Sequence, residues 1–385
     1  MDARASTGRN VQKVHKTKTT KKLRNFDYSM LLLILILVSF GLVMLYSVSA
    51  YSGSLYYDNP AFYLRKQVIA ALIGLVMAAV CVRLDYHIFA VFTWPLYLLS
   101  LISCIAVLFV GQSLNNSSRW LSIFGVSVQP SEFAKFAVIL FLATYIAKTP
   151  RELRDAKKVM KAFCMVLPFV LVIAYNNLST AIIVAGIAFV MLFVASPQRG
   201  LFAFLILLGG AAVAAFIAFE GYRGDRIAVW LHPEQYERGY QTLQGLYAIG
   251  SGGLFGKGLG GSMQKMGFVP EAQNDMIFSI ICEELGLVGA VGLLLLYLLL
   301  LWRFLVDAME VRDMFGSFLL IGIMTHIALQ VILNIAVVTN TIPNTGITLP
   351  FISYGGTSMM LLIVEMGVAL SVTRGIPIRT EEENR

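Results

Sequence analysis

FVPEAQNDMIFSIICEELG, residues 268–286, is the stretch whose reading decides the fold, because it sets carboxylates at the edge of an oily run and then inside it. Up to Gln273 it reads as a polar loop, and from Met276 it becomes an apolar run of helix length, so Asp275 is expected at the seam between water and bilayer. Glu283 and Glu284 follow within the run. At ~1.5 Å of rise per residue, Glu283 lies about 12 Å beyond Asp275, well into the hydrocarbon. An ionisable side chain is costly there, so it is expected to face a cavity, a partner or a substrate path. The two glutamates point ~100° apart on a helix and cannot face one neighbour. One is expected to pair structurally and the other to line the cavity.

The whole chain agrees with that reading. Of its 385 residues, 58% are hydrophobic and 14% charged, and its mean hydropathy is +0.75. These values exclude a soluble globule and specify a multi-pass membrane protein. A net charge of +8 could suggest nucleic acid. The basic residues instead gather in the N-terminal tail and one internal loop, which suits a cytoplasmic membrane face and no nucleic-acid partner. Cys81, Cys104, Cys164 and Cys282 lie in apolar runs without ligand spacing, so no structural metal is expected.

Residues 1–26 carry eight Lys/Arg and few apolar side chains, and are expected to form a disordered cytoplasmic tail. The apolar run after them is too long for a signal-peptide core and reads as a retained first span. The fold class expected is all-α and polytopic, a ten-helix membrane domain over 27–373 with a C-terminal cytoplasmic tail at 374–385. The spans fall near 28–50, 67–82, 88–110, 132–147, 162–176, 178–196, 201–219, 276–304, 315–338 and 350–372. The fifth is short and contains Pro168, so a re-entrant segment is the alternative there. A polar loop covers 111–130, and one large glycine-rich external loop covers 221–274, between the seventh and eighth spans. With this count 21 of the 30 Lys/Arg fall on the side of the termini and 8 on the other, with Lys135 inside a span. By the positive-inside rule both termini are cytoplasmic, which puts Asp275 and the large loop outside.

Outside, against the charge bias, stand Arg119, Arg223, Arg226, Lys257 and Lys265, whose cationic groups suit phosphate oxygens or, more simply, lipid headgroups and loop ion pairs. Lys257 sits among the seven glycines of GSGGLFGKGLGG, residues 250–261. That run lacks the ending of a nucleotide-binding loop and follows no strand. Glu132 and Lys135, at i and i+3, can neutralise each other inside the membrane, or share in substrate binding. Asp275 is either the N-cap of the eighth span or a general base able to take a proton from a sugar hydroxyl. Ser353, Tyr354, Gly355, Gly356 and Thr357 form a polar patch entering the tenth span, which either lines a cavity or lets helices pack closely.

Together these blocks carry a family likeness. SSRWLSIFGVSVQPSEFAKF (117–136), GYQTLQGLYAIGSGGLFGKGLGGSMQK (239–265), FVPEAQNDMIFSIICEELG (268–286) and NTGITLPFISYGGTS (344–358) resemble the SEDS family of bacterial cell-wall synthesis, in order and over about 27–373. QK at 264–265 and PEA at 270–272 are closer to the division and sporulation branch, FtsW and SpoVE, than to RodA. The resemblance implies a peptidoglycan glycosyltransferase of the cytoplasmic membrane that polymerises lipid II at its outer face. It also implies a class B penicillin-binding transpeptidase and other division proteins as partners. It makes Asp275 the catalytic base, and Arg119, Glu132, Lys135 and the 353–357 patch substrate-binding positions; Lys257, Lys265 and Glu283 complete the candidate set. The chemistry expected is inverting, with undecaprenyl diphosphate leaving. A divalent cation, Mg or Mn, is compatible with the diphosphate, although the sequence offers no dedicated ligand cluster. Two departures stand out: Asn176-Asn177 where the family has Pro-Asp, and Gln273-Asn274 where it has His-Thr. The rival classes are a lipid II flippase, which ten spans and intramembrane acids suit equally, and a non-catalytic scaffold of the division complex.

Overall fold

The computed structural model describes residues 26–114, 117–123, 126–219 and 227–375; Arg223, Arg226 and most of both tails lie outside them. The chain is a helical bundle: α1 (Tyr28–Tyr57), α2 (Phe62–Arg83), the short α3 (Ile88–Val91), α4 (Thr93–Val110), α5 (Pro130–Lys148), α6 (Ala156–Asn176), α7 (Leu178–Ala195), α8 (Arg199–Phe219), α9 (Tyr240–Gly252), α10 (Ile277–Glu310), α11 (Met314–Val338) and α12 (Gly356–Thr373). Among the described residues nine helices are long and apolar enough to cross a membrane. The seventh expected span corresponds to α8, whose described apolar stretch is shorter, Arg199–Ala211. α5 and α12 are buried around most of their circumference and form the centre. Val76, Phe109, Leu207 and Leu298 stay exposed, as on a face that meets lipid.

Several expected boundaries move for physical reasons. The 111–130 loop contains a three-stranded antiparallel sheet, β1 (Gln112–Leu114), β2 (Ser117–Ile123) and β3 (Val126–Val128), with Leu121 opposite Val128. The fifth span is a 21-residue helix beginning at Ala156, long enough to cross, so its length gives no support to a re-entrant segment. Its start is hidden in the sequence because Lys157, Lys158 and Lys161 occupy its first turns. Asp155 caps it through Lys157 N–H, and Asn177, the second residue of the Asn176-Asn177 departure, caps α7 through Thr180 N–H. The tenth span begins at Gly356 rather than 350. Residues 349–355 are held out of the helix by the buried Gln67, which donates to Ser353 O (3.1 Å) and accepts from Gly355 N–H (3.1 Å). Phe351 in that turn has φ +64°.

The main irregularity lies in α10. Gly286 has φ 66° and ψ −167°, so the helix is broken there and four backbone groups lose their helical partners. The glycine run fills the break. Lys257 and Gly258 N–H donate to Glu283 and Glu284 O (2.9 Å each), while Leu287 and Val288 N–H donate to Gly253 and Leu254 O (2.9 and 3.1 Å). Only glycine permits this approach: a Cβ at Gly252 would stand 1.9 Å from Cys282 O, and one at Gly256 (φ +77°) 2.2 Å from Glu284 O. Gly256→Ala is therefore expected to cost about 1–3 kcal/mol for the backbone strain alone, with a clash besides. Thermal melting in detergent should show a clear loss for Gly256→Ala and none for Gly250→Ala, where a Cβ meets nothing within 4 Å.

Candidate active site

The seam residue sits where three segments meet. Asp275 is 8% exposed, and the N-cap of α10 is Met276 with no side-chain cap bond, so Asp275 is not the cap that one sequence reading offered. Gln241, in the first turn of α9, donates Nε2–H to Asp275 Oδ1 (3.4 Å) and to Pro270 O (3.0 Å). Asn334 of α11, wholly buried, donates Nδ2–H to Asp275 O (2.8 Å) and Ile347 O (2.7 Å), tying the seam to the turn before α12. Tyr354 N–H donates to Gln273 O (2.8 Å). The 353–357 patch is thus built against the 273–275 segment. Burial pushes the Asp275 carboxyl up to about 6; the amides of Asp275 and Met276 oppose this, and the nearby Glu271 charge adds to it.

Ser353 accepts from Leu349 N–H (2.8 Å), Tyr354 meets Tyr63 edge to face (5.0 Å between centroids), and Thr357 donates to Ser127 O in β3 (2.9 Å). This last bond brings the sheet beside the patch. Arg119 lies on β2, and its side chain is outside what the structure describes.

The remaining candidates are paired among themselves. Glu132 and Lys135 form the i,i+3 ion pair (2.8 Å) inside α5, and Ser358 hydrogen-bonds Glu132. Lys257 pairs with Glu283 (2.6 Å), which also accepts from Ser262 Oγ–H. Lys265 pairs with Glu284 (2.6 Å), which accepts from Ser47 Oγ–H (2.7 Å). The expectation that one glutamate pairs and the other lines a cavity is corrected: both are fully buried and both are paired. The cause is the broken helix, which presents two free carbonyls and two carboxylates to a loop carrying two lysines.

Sequence reasoning passed over His326 and Glu365, which face each other at 2.9 Å between α11 and α12, each 1% exposed. Their signal was available, since each is a titratable residue inside an apolar run. It also passed over Gln241, Asn334 and Asn344, which are uncharged and lack periodicity. Among the described residues no three His, Cys, Asp or Glu side chains could hold a metal ion together.

The chain matches the family model for FtsW, RodA and SpoVE, described as cell cycle proteins, over residues 28–376. Stage V sporulation protein E of Bacillus subtilis is 38% identical over 362 residues, spanning 92% of this chain and 99% of that protein. A protein of Trichlorobacter lovleyi named as a probable peptidoglycan glycosyltransferase FtsW is 35% identical, spanning 93% and 95%. Among solved structures, one of a peptidoglycan synthase complex described as coordinating polymerization and crosslinking superposes with TM-score 0.77 at 28% identity, covering 91% of this chain and 98% of that one. Thermus thermophilus RodA, a rod shape determining protein, superposes with TM-score 0.67 at 29% identity, covering 91% and 97%.

The buried Lys265–Glu284 pair makes its own prediction. Lys265→Met or Glu284→Gln alone should destabilise the protein by about 3–5 kcal/mol, whereas replacing both residues by apolar ones should recover most of that loss. Melting temperatures of the two single variants and the double variant in one detergent measure it.

Proposed function

Because the chain belongs to the FtsW, RodA and SpoVE family of cell cycle proteins, we propose that it is a peptidoglycan glycosyltransferase that polymerises lipid II, with Asp275 as its base. The observation that carries this is the setting of Asp275: a largely buried carboxylate just before α10, raised to about 6, with the polar 353–357 patch beside it. A base of that strength is half ionised near pH 6 and can accept a proton from a hydroxyl as its oxygen attacks.

In this reading the acceptor's 4-hydroxyl oxygen bonds to the anomeric carbon of the donor as the bond from that carbon to the diphosphate breaks. The hydroxyl proton passes to Asp275, and the electron pair leaves with undecaprenyl diphosphate, inverting the anomeric centre. A diphosphate leaves as a stable anion, so the donor side needs charge stabilisation rather than a general acid. Arg119 and Lys257 are the cations offered for that task; Lys257, though paired with Glu283, is the more exposed of the two loop lysines. A Mg or Mn ion would arrive with the diphosphate, whose oxygens suit it. The site is external and the termini cytoplasmic by the distribution of charge, and a class B penicillin-binding transpeptidase would crosslink the product.

Ionisable pairs buried in the bundle, Glu132–Lys135 and His326–Glu365, also suit a flippase, because intramembrane ionisable groups mark transport paths as well as catalytic ones. Purified protein given labelled lipid II separates the readings. Glycan ladders on a gel support the polymerase, leaflet exchange in liposomes without ladders supports the flippase, and neither outcome supports a scaffold. Asp275→Asn should abolish ladders while leaving the fold and lipid II binding intact; ladders formed by that variant would remove Asp275 from the chemistry. The wild-type rate should rise with pH through about 6 and level off above it, since only the ionised carboxylate can accept the proton.

A further inference from the structure

Resting on the reading of Asp275 as the base, we infer that Gln241 and Asn344 form a one-way amide relay that positions its carboxylate, holding Oδ1 and leaving Oδ2 to take the proton. The direction follows from the two ends of the relay, both backbone groups whose roles cannot reverse. Gly346 N–H can only donate, and it donates to Asn344 Oδ1 (3.2 Å). The other end of that amide is then NH₂, which donates to Gln241 Oε1 (3.0 Å). Gln241 must therefore turn its own NH₂ the other way, where one hydrogen meets Pro270 O (3.0 Å) and the other Asp275 Oδ1 (3.4 Å). Pro270 O can only accept, so the far end is locked as well. Neither amide can flip without setting like dipoles against each other.

The relay joins the turn before α12, the first turn of α9 and the segment before α10, so Asp275 is oriented by elements far apart in the chain. On its other side, Oδ2 lies 3.9 Å from where a Cβ at position 346 would stand. Gly346 (φ +70°) carries no side chain to cover that oxygen. Glu271 is the other charged group acting on Asp275, and its negative charge disfavours the ionised form. The backbone amides of Asp275 and Met276 favour it, and the N–H bond from Gln241 acts in the same sense on Oδ1.

A relay and a mere packing tie predict opposite orders of damage. Alanine at 241 or 344 removes contacts, so a packing tie makes alanine the worse substitution and the nearly isosteric acid the milder. In the relay the acids are worse. Gln241→Glu sets a carboxylate oxygen against Oδ1. Asn344→Asp still accepts from Gly346 N–H but cannot donate, so it sets a carboxylate oxygen against Gln241 Oε1 or, if that amide turns, sets Oε1 against both Pro270 O and Asp275.

The experiment measures glycan-bond formation from labelled lipid II by the full chain in detergent, for Q241A, Q241E, N344A, N344D and Asp275→Asn, with melting curves for each. The expected result is a kcat reduced on the order of ten-fold in Q241A, as for loss of one hydrogen bond to a charged group. KM should stay within about two-fold, and Q241E and N344D should be slower than their alanine counterparts. If Asp275→Asn is inactive while either acid variant matches or exceeds its alanine counterpart, or Q241A keeps the wild-type kcat, the relay is overturned and the base stands. Activity in Asp275→Asn overturns the base, and the relay with it. Two positions are tested so that one misfolded variant leaves the other decisive.

Discussion

The arrangement around Asp275 and the glycine run depends on how the break in α10 at Gly286 is closed. A backbone carbonyl without a partner inside a membrane protein costs several kcal/mol, so a helix broken at depth survives only if something else bonds the freed groups. Here the glycine run after α9 does so in both directions, donating to Glu283 and Glu284 O and accepting from Leu287 and Val288 N–H. The same run brings Lys257 to Glu283, and the loop that follows brings Lys265 to Glu284. Two carboxylates that would be intolerable alone become the anchors of the loop between α9 and α10.

That closure has a consequence for the chemistry. The chain leaves α9, fills the break, and returns to begin α10 at Ile277, so the segment carrying Asp275 is held at both ends by the helix it precedes. Asn334 then ties it to the turn before α12, and Gln67 holds that turn out of its helix. The backbone that carries the carboxylate is thus tied to elements far apart in the chain, which suits the defined direction that the proposed base needs to meet a hydroxyl. Glu132, Glu283 and Glu284 each have a lysine partner, whereas the basicity of Asp275 is set first by burial.

Much of this was legible in the sequence. Apolar runs of helix length marked the spans because a lipid-facing helix has no other composition open to it. The carboxylate at 275 stood out because it interrupts such a run at its edge, and Glu132 with Lys135 announced their pairing by spacing. The start of α6 was hidden because lysines reaching back to the headgroups look like loop residues. The start of α12 was hidden because its unwound turn is apolar, and Gln67, which holds that turn open, lies 288 positions from Gly355. For Lys257 and Lys265 the sequence left phosphate binding and loop ion pairing open, because the glutamates that pair with them lie in another segment. Gln241 and Asn344 gave no signal, since an uncharged amide in a polar loop acquires meaning only from the groups at its two ends.

The proposed chemistry requires Asp275 to be a carboxylate made basic by its surroundings. Isotope-edited infrared titration of the aspartate carboxyls, with Asp275→Asn as the difference reference, measures this directly. The account predicts one carboxyl band, lost in the variant, that titrates near 6. A band titrating with ordinary aspartates at about 4 would contradict it, because the environment would then confer no basicity beyond that of any exposed carboxylate.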